Sequence, residues 1–167
     1  NIVLCTKQGI IKKTALQDFS RPRQTGVNAI TIVEGDELLE AKLTDGNSEI
    51  MLAVKSGRAI RFPEEKVRST GRGAIGVAGI EVDDKDDAVI GMICVNKDDK
   101  TKTVLVVSEK GYGKRTPVDE YRITNRGGKG VKTISVTDKT GGLVGMLDVH
   151  EKEDAISPKI PPPKSGK

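Results

Sequence analysis

Arginine and lysine side chains recur beside glycines at three places in the sequence, where they could neutralise an anionic ligand. Three basic segments run from Gly9 to Gly26, from Gly57 to Gly76 and from Gly111 to Gly130, and each has a net charge of +3. The whole chain has a net charge of only +4, so the remainder is net negative. Glycine suits a phosphate site because it lets the backbone approach closely and donate N–H groups. The candidate binding residues, in or next to these segments, are Lys12, Lys13, Arg21, Arg23, Arg58, Arg61, Arg68, Arg72, Lys114, Arg115, Arg122, Arg126, Gly127, Gly128, Lys129, Gly130 and Lys132.

The regular recurrence of these cations predicts contact with a polymer of evenly spaced phosphates. Lysine and arginine contacts to phosphate position double-stranded DNA without reading its base sequence. A curved row of such contacts would also bend the duplex. The alternative interpretation is a set of ordinary solvated turns, since a mildly basic pI of 9.0 is weak evidence for nucleic acid by itself.

The spacing of the glycines indicates an internal repeat of about 50 residues. Each copy begins with an apolar run that ends in a glycine turn, and a Gly-Val pair such as Gly76-Val77 follows later in the same copy. The cations therefore occupy one position in every copy. We divide residues 1–149 into a first unit of approximately 1–45, a second unit of 46–99 and a third unit of 100–149.

Each unit contains short runs rich in β-branched residues, separated by glycine and acidic turns. Such runs are typical of short antiparallel strands, as in the alternating segment Lys132–Val136. No window keeps a helical apolar period over ten or more residues. Units of this length predict four-stranded blades, which must stack on one another to bury their faces. We therefore predict an all-β, propeller-like array of about three blades that forms part of a larger domain.

The last part of the sequence has a different composition. Residues 150–167 contain three consecutive prolines and no apolar pattern, which is typical of a disordered tail or a chain end. The repeat predicts a fresh strand and glycine turn after Val149, and neither appears. We therefore expect that residues are missing near positions 150–155.

Few residues could support catalysis or bind a metal. Cys5, Cys94 and His150 are isolated from one another, so we predict no catalytic residue and no metal site. Gly71–Gly76 matches G-x-G-x-x-G, but a dinucleotide loop needs a strand before it and a helix after it, and neither is expected here. No membrane span is expected, and a reducing cytoplasm fits the cysteine content. We interpret the remaining candidates as structural or solvated: Tyr112, Tyr121, Asp83, Asp84, Asp86 and Asp87.

The third basic segment resembles a known motif. Arg126–Gly130 is similar to the end of the Gln-Arg-Arg-Gly-Gly-Lys-Gly box in the C-terminal domain of the A subunits of DNA gyrases, whereas Thr124 and Asn125 depart from its leading residues. The likeness extends over nearly all of the three units. Further stretches that resemble repeats of this family are Gly9–Thr14, Val33–Leu38 and Gly111–Thr116.

The resemblance implies a six-bladed β-pinwheel, in which neighbouring blades exchange strands and DNA wraps in a right-handed sense around a basic outer edge. It implies a non-catalytic, DNA-binding and DNA-bending part of a type IIA topoisomerase that introduces negative supercoils. The gyrase B subunit would be a partner through the rest of the gyrase A protein, and ATP and Mg²⁺ would be cofactors of the complete enzyme alone. The DNA-breaking tyrosine would lie outside this sequence, and the principal box would lie upstream of Asn1.

The same resemblance places Arg126 and Lys129 on the wrapping surface and the protein in the bacterial cytoplasm, associated with the nucleoid. Two alternatives remain open. One is the related C-terminal domain of the A-type subunit of topoisomerase IV, which generally wraps DNA more weakly. The other is a propeller-like protein-interaction platform, which predicts an exposed apolar patch and partner binding that is insensitive to salt.

Overall fold

The computed structural model describes residues 1–21, 23–83 and 85–150. The described residues form strands and three short 3₁₀ turns and contain no α-helix, which confirms the all-β prediction. None of the described helical turns is long and apolar enough to cross a membrane. The strands are β1 (Ile2–Thr6), β2 (Ile10–Thr14), β3 (Leu38–Leu43), β4 (Ser48–Val54), β5 (Arg58–Pro63), β6 (Val77–Ala78), β7 (Val89–Asn96), β8 (Lys102–Ser108), β9 (Gly113–Pro117), β10 (Val131–Lys132) and β11 (Leu143–His150).

The strands form three antiparallel sheets, one for each unit. The strand order is β3-β1-β2-β6 in the first sheet, β7-β4-β5-β10 in the second and β11-β8-β9 in the third. The prediction of four-stranded blades therefore holds for two sheets. The third sheet has three strands among the described residues.

The fourth strand of a sheet comes from the following unit. In the first sheet β6, from the second unit, pairs with β2, with Ala78 opposite Ile10. In the second sheet β10, from the third unit, pairs with β5, with Val131 opposite Ala59. Consecutive units are thus joined by main-chain hydrogen bonds as well as by side chains, and we call each such contact region a joint.

Two clusters of apolar side chains fill the two joints. The alternation of a strand sends successive side chains of β4 to opposite faces. Ile50 and Leu52 pack against the first sheet, whereas Met51 and Ala53 pack against the third. The second sheet is therefore buried on both faces, which explains why β4 is buried along its whole length.

The basic segments lie towards one edge of the sheets. The strands β3 and β11 both contact β7, so the edges formed by these three strands meet. The opposite, outer edge is formed by β2 with β6, by β5 with β10, and by β9. Each basic segment contains β2, β5 or β9 and the 3₁₀ turn that follows it, at Leu16–Phe19, Glu64–Lys66 or Val118–Glu120.

The predicted tail lies almost entirely outside the described residues. His150, which the sequence placed in the tail, is the last residue of β11 and pairs with Lys102 of β8. The expectation for residues 151–167, including the missing residues near 150–155, concerns the part of the chain that is not described.

Candidate nucleic-acid interface

Lys12 and Lys13 occupy the joint between the first and second units instead of the outer surface. The Lys12 Nζ atom donates hydrogen bonds of 2.6 Å to the carbonyl oxygens of Ala29 and Arg72, and the residue is 1% exposed. Burial, and secondarily the positive charge of Arg72, lower the pKa of the Lys12 ammonium from its usual value. The prediction that Lys12 and Lys13 bind a surface ligand is therefore corrected, because both residues are buried and their ammonium groups already donate hydrogen bonds to backbone carbonyls.

The partner of Lys13 is a buried carboxylate of the next unit. The Lys13 Nζ atom lies 3.6 Å from the Oε2 atom of Glu64 and 3.3 Å from the Glu64 carbonyl oxygen. Glu64 is fully buried. Its carboxylate also accepts hydrogen bonds from Asn1 Nδ2, Thr44 Oγ1 and the Ser48 backbone N–H.

Arg61 has the corresponding position at the joint between the second and third units. Its guanidinium donates to the carbonyl oxygens of Val118 (3.1 Å), the first residue of a 3₁₀ turn of the third unit, and of Tyr121 (2.7 Å), which follows that turn. Its other terminal nitrogen lies 2.8 Å from Glu49 Oε1, and the side chain is 11% exposed. The prediction that Arg61 binds a surface ligand is therefore corrected as well. In the third unit Arg115, at the same position, donates to Thr103 Oγ1.

The turn at Gly71–Gly76 in the second unit occupies the repeat position of Arg126–Gly130 in the third, and each of these two box-like turns packs on the unit before it. Arg126 donates to the carbonyl oxygens of Lys66 and Ala78, and Arg72 donates to that of Asn28. Both arginines remain half-buried, so part of each guanidinium faces solvent. Their hydrogen bonds hold the turns in place at the outer edge, beside β6 and β10, the swapped strands that each pair with the sheet of the preceding unit.

The glycines of Arg126–Gly130 make contacts at the second joint. The Gly127 N–H donates to the Gly79 carbonyl at 2.7 Å, so this donor is not available to a phosphate, contrary to the sequence prediction. The Gly128 carbonyl accepts from the Glu81 N–H at 2.9 Å. Gly130 has a φ of 79°, and a Cβ atom there would lie 2.3 Å from the Ala59 carbonyl oxygen. Only glycine permits that backbone conformation together with that approach.

Carboxylates of the second unit hold two of the predicted cations. Lys129 Nζ lies 3.2 Å from Asp83 Oδ2, and Arg58 lies 3.7 Å from Asp87 Oδ2. Arg58 also donates to the Lys129 carbonyl oxygen at 2.6 Å. A hydrogen bond between the carboxyl groups of Glu81 and Asp83 raises the pKa of Glu81, and the same bond together with Lys129 lowers the pKa of Asp83. Asp84, from the same acidic run, lies outside the described residues.

The predicted cations that are exposed lie on the three basic segments or, in the case of Lys132, on strand β10 just after the third segment. Arg68 of the second unit and Arg122 of the third lie at equivalent positions, just after the 3₁₀ turns. Lys66 is also exposed beside Arg68, and the sequence prediction missed it although its type and place suit the same role. The exposed members of the predicted set are Arg21, Arg23, Arg68, Lys114, Arg122, Lys129 and Lys132.

Other chemically capable residues have structural surroundings. Burial raises the pKa of the Cys94 thiol to about 12 and raises that of Cys5 further, so neither thiol forms a reactive thiolate near neutral pH. The Tyr121 hydroxyl is buried in a hydrogen bond with Thr133 Oγ1. Gly71–Gly76 leads into strand β6 instead of a helix, so it is not a dinucleotide loop. No group of three metal-ligating residues occurs among the described residues.

The sequence matches one known protein family and is similar to curated proteins. A family model described as the DNA gyrase C-terminal domain, beta-propeller, matches residues 1–45, 48–96 and 102–150. The chain is 44% identical over 155 residues to the A subunit of DNA gyrase from Staphylococcus epidermidis (strain ATCC 12228 / FDA PCI 1200) and 43% identical to its counterpart from Staphylococcus aureus (strain MRSA252). Each alignment covers 93% of this chain and 17% of the relative, so the chain spans about a sixth of the length of these proteins.

Solved structures show the same architecture. A DNA gyrase A C-terminal domain superposes with a TM-score of 0.75 at 28% identity, over 90% of this chain and 49% of that one. The C-terminal domain of a DNA topoisomerase IV superposes with a TM-score of 0.81 at 23% identity, over 89% of this chain and 46% of that one, a likeness of fold alone. The resemblance found in the residues is confirmed: the chain belongs to the DNA gyrase C-terminal domain family.

Proposed function

From its membership of this family, we propose that the chain binds double-stranded DNA along its outer edge without reading the base sequence. The observation that carries the proposal is the excess of accessible cations over exposed carboxylates in the basic segments. Among the described residues of the three basic segments, twelve cations are exposed or half-buried and only four carboxylates are exposed. The excess recurs in all three units, at the edge where swapped strands and box-like turns lie.

Exposed cations on a rigid edge suit phosphate binding because phosphates release their condensed counterions when they are neutralised. Arg68 and Arg122 follow equivalent 3₁₀ turns, so successive units present the same side chain to successive stretches of one duplex. Contacts of this kind fix the path of the DNA. A path that turns from unit to unit bends the duplex, and we propose that this bending is what the chain contributes to wrapping.

We further propose that the chain acts within a complete gyrase A protein, in partnership with the gyrase B subunit. In that assembly, ATP and Mg²⁺ would be bound and DNA would be cleaved elsewhere, in the bacterial cytoplasm. The wrapping would present DNA for ATP-dependent negative supercoiling. The same chemistry would serve an A-type subunit of topoisomerase IV, but the sequence identity favours gyrase, at 44% with the gyrase relative.

A second candidate function, binding of another protein, is favoured by a different set of residues. Among the described residues, the most exposed large apolar side chains are Leu43 (68%), Leu147 (58%) and Leu16 (55%). They belong to the first and third units, not to the second. Leu43 and Leu147 lie on strands β3 and β11, away from the outer edge, whereas Leu16 lies in the 3₁₀ turn of the first basic segment.

The proposal is tested by the affinity for two linear duplexes of unrelated sequence, measured by fluorescence anisotropy. The double variant Arg68→Ala/Arg122→Ala removes two exposed cations of the outer edge. The expected loss is about tenfold for each phosphate contact removed at 0.1 M salt, equal for both duplexes.

The matched control is Lys7→Ala/Lys55→Ala. These lysines also have equivalent positions in two units and similar exposure, 47% and 48%, but they lie before the basic segments and pair with Glu37 and Glu109. The control should bind DNA within about twofold of the parent. Equal losses in both double variants would reduce the effect to net charge, and unchanged affinity in the first would remove the outer edge as the DNA surface.

A further inference from the structure

The box-like turns of the second and third units differ in one residue type at the outer edge. By repeat position, Ile75 of the second turn corresponds to Lys129 of the third, since Gly76-Val77 corresponds to Gly130-Val131. Ile75 is 45% exposed, so an accessible apolar side chain stands within a basic segment where the next unit has a cation. An apolar side chain binds no phosphate, so any contact that Ile75 makes with DNA is of another kind.

Ile75 is exposed although the units on both sides of its own unit are present. Thr31 of the first unit donates from its hydroxyl to the Gly73 carbonyl oxygen (2.7 Å) and from its N–H to the Ala74 carbonyl oxygen (3.2 Å). Arg126 of the third unit donates to a carbonyl oxygen of β6, the strand that follows the turn. The turn is therefore held by both neighbouring units, and neither of them covers Ile75.

An apolar cleft of about 210 Å³ lies beside Ile75 at the outer edge. Its walls include the exposed side chains of Ile75 and Val77 and the buried residues Ile11 and Val67. Arg68, one of the exposed cations, lines the same cleft. An accessible apolar surface and an accessible cation therefore adjoin each other on the edge that we propose for DNA binding.

We propose that Ile75 enters the minor groove of the bound duplex as an apolar wedge and bends the DNA at the second unit. Proteins that bend DNA from the minor groove insert apolar side chains, isoleucine among them, between base steps. Arg68, in the same cleft, and Arg72, in the same turn, would hold the neighbouring phosphates. This role rests on the proposed function, since it is a contact within DNA binding.

The wedge and the cation of the third unit contribute to binding in ways that can be told apart. Lys129 would neutralise a phosphate and release counterions, so its contribution weakens as salt rises. Ile75 releases no counterion, so its contribution is the same at every salt concentration. A wedge also makes no hydrogen bond to a base edge, so it adds no direct reading of the sequence.

The test combines two measurements on the whole chain. Fluorescence anisotropy gives the duplex affinity across a salt series, and energy transfer between dyes at the two ends of a duplex of about 30 base pairs reports its bend. Ile75→Ala should weaken affinity by about three- to tenfold at every salt concentration and leave the log–log slope unchanged. At saturating protein it should also lower the energy transfer, because a straighter duplex holds the dyes farther apart.

Two further variants serve as controls. Leu38→Ala is matched in size and exposure, since Leu38 is 44% exposed but lies on β3, away from the outer edge, and it should equal the parent in both measurements. Ile75→Lys gives the second turn the residue type of the third. It should steepen the salt slope by about 1 and leave the energy transfer below that of the parent. Thermal unfolding of each variant confirms that it is folded.

The outcomes separate this role of Ile75 from the proposed function. A parent chain that binds no duplex at low salt would overturn both. A parent that binds with a steep salt slope, and that Ile75→Ala equals in affinity and in energy transfer, would overturn the wedge alone. That second result is expected if Ile75 contacts another protein. A loss of affinity without a change in energy transfer would place Ile75 against DNA without a bend there, and it would overturn the wedge as well.

Discussion

The two joints use the same repeat position for different chemistry. At the first joint, Lys13 meets the carboxylate of Glu64, which comes from the next unit and is fully buried. At the second joint, Arg61 meets backbone carbonyls of the next unit and the carboxylate of Glu49, which belongs to its own unit. The first joint thus depends on an ion pair across the boundary, and the second depends on charge-assisted hydrogen bonds.

This difference separates two roles that look alike in the sequence. A cation lies four residues after each turn glycine, and its recurrence suggested a row of phosphate ligands. In the structure, Lys13 and Arg61 fasten units together and leave DNA binding to cations further along each segment. Recurrence therefore indicates a shared structural task as readily as a shared surface task.

The largest effect is expected from removing the carboxylate of the first joint. Glu64→Ala leaves Lys13 buried without its partner, and it also removes the acceptor for Thr44 and Ser48. Breaking a buried ion pair on one side costs about 3–5 kcal/mol. Urea denaturation should show that loss in the free energy of unfolding. The neighbouring, exposed Glu65→Ala should change it by less than about 0.5 kcal/mol. Equal effects of the two substitutions would contradict this view of the joint.

Removing the cation of the second joint should lower the free energy of unfolding by a smaller amount. Arg61→Ala removes hydrogen bonds to two carbonyls and to Glu49, but the partially exposed site can admit water to them. Hydrogen bonds to charged groups contribute about 1.5–3 kcal/mol, and we expect a loss in that range. The same urea experiment measures it. A loss greater than that of Glu64→Ala would reverse the ranking of the joints.

Gly130 lies within the second joint, whereas its repeat equivalent Gly26 has open space beside its Cα. Gly130→Ala places a Cβ atom 2.3 Å from the Ala59 carbonyl, whereas Gly26→Ala meets nothing within 4 Å, and both residues have positive φ. Each alanine is strained by about 1–2 kcal/mol for its conformation. Gly130→Ala should cost more, because β10 must also move away from β5. Equal midpoints of urea unfolding for the two variants would show that the close approach is relaxed easily.

The smallest expected effect concerns the carboxylates that hold Lys129. Asp83→Asn should strengthen DNA binding by up to about fivefold, since a surface ion pair no longer competes with phosphate. The raised pKa of Glu81 adds a pH dependence. Glu81 loses its negative charge as the pH falls through that pKa, so it contributes to a rise in DNA affinity, and Glu81→Gln should make that rise smaller. Anisotropy titrations between pH 4 and 7 (about the range of carboxyl titration) measure both effects.

Much of the architecture follows from glycine spacing and β-branched runs. These features predicted three β units, because a turn at each glycine and short apolar runs leave few other solutions. They could not predict that Val77–Ala78 pairs with a strand of the preceding unit. Two residues carry no periodicity, and the partner is fixed only when the units pack together.

The site was predictable in position but not residue by residue. Lys12 and Lys114 have the same type and repeat position, yet Lys12 is buried and Lys114 is exposed. The difference arises because a following unit supplies a carbonyl acceptor to Lys12, which is a fact about packing. Glu64 and Glu65 are adjacent and identical in type, and only the direction of the 3₁₀ turn decides which is buried. No pattern in one sequence contains that information.

The most direct test of DNA binding on the outer edge is the salt dependence of duplex affinity. For the parent chain, the slope of log affinity against log salt concentration should be about −4 or steeper. Arg68→Ala/Arg122→Ala should flatten it by about 2, and Lys7→Ala/Lys55→Ala should leave it unchanged. A slope near zero for the parent, or an equal slope for the parent and the Arg68→Ala/Arg122→Ala variant, would contradict DNA binding on this edge.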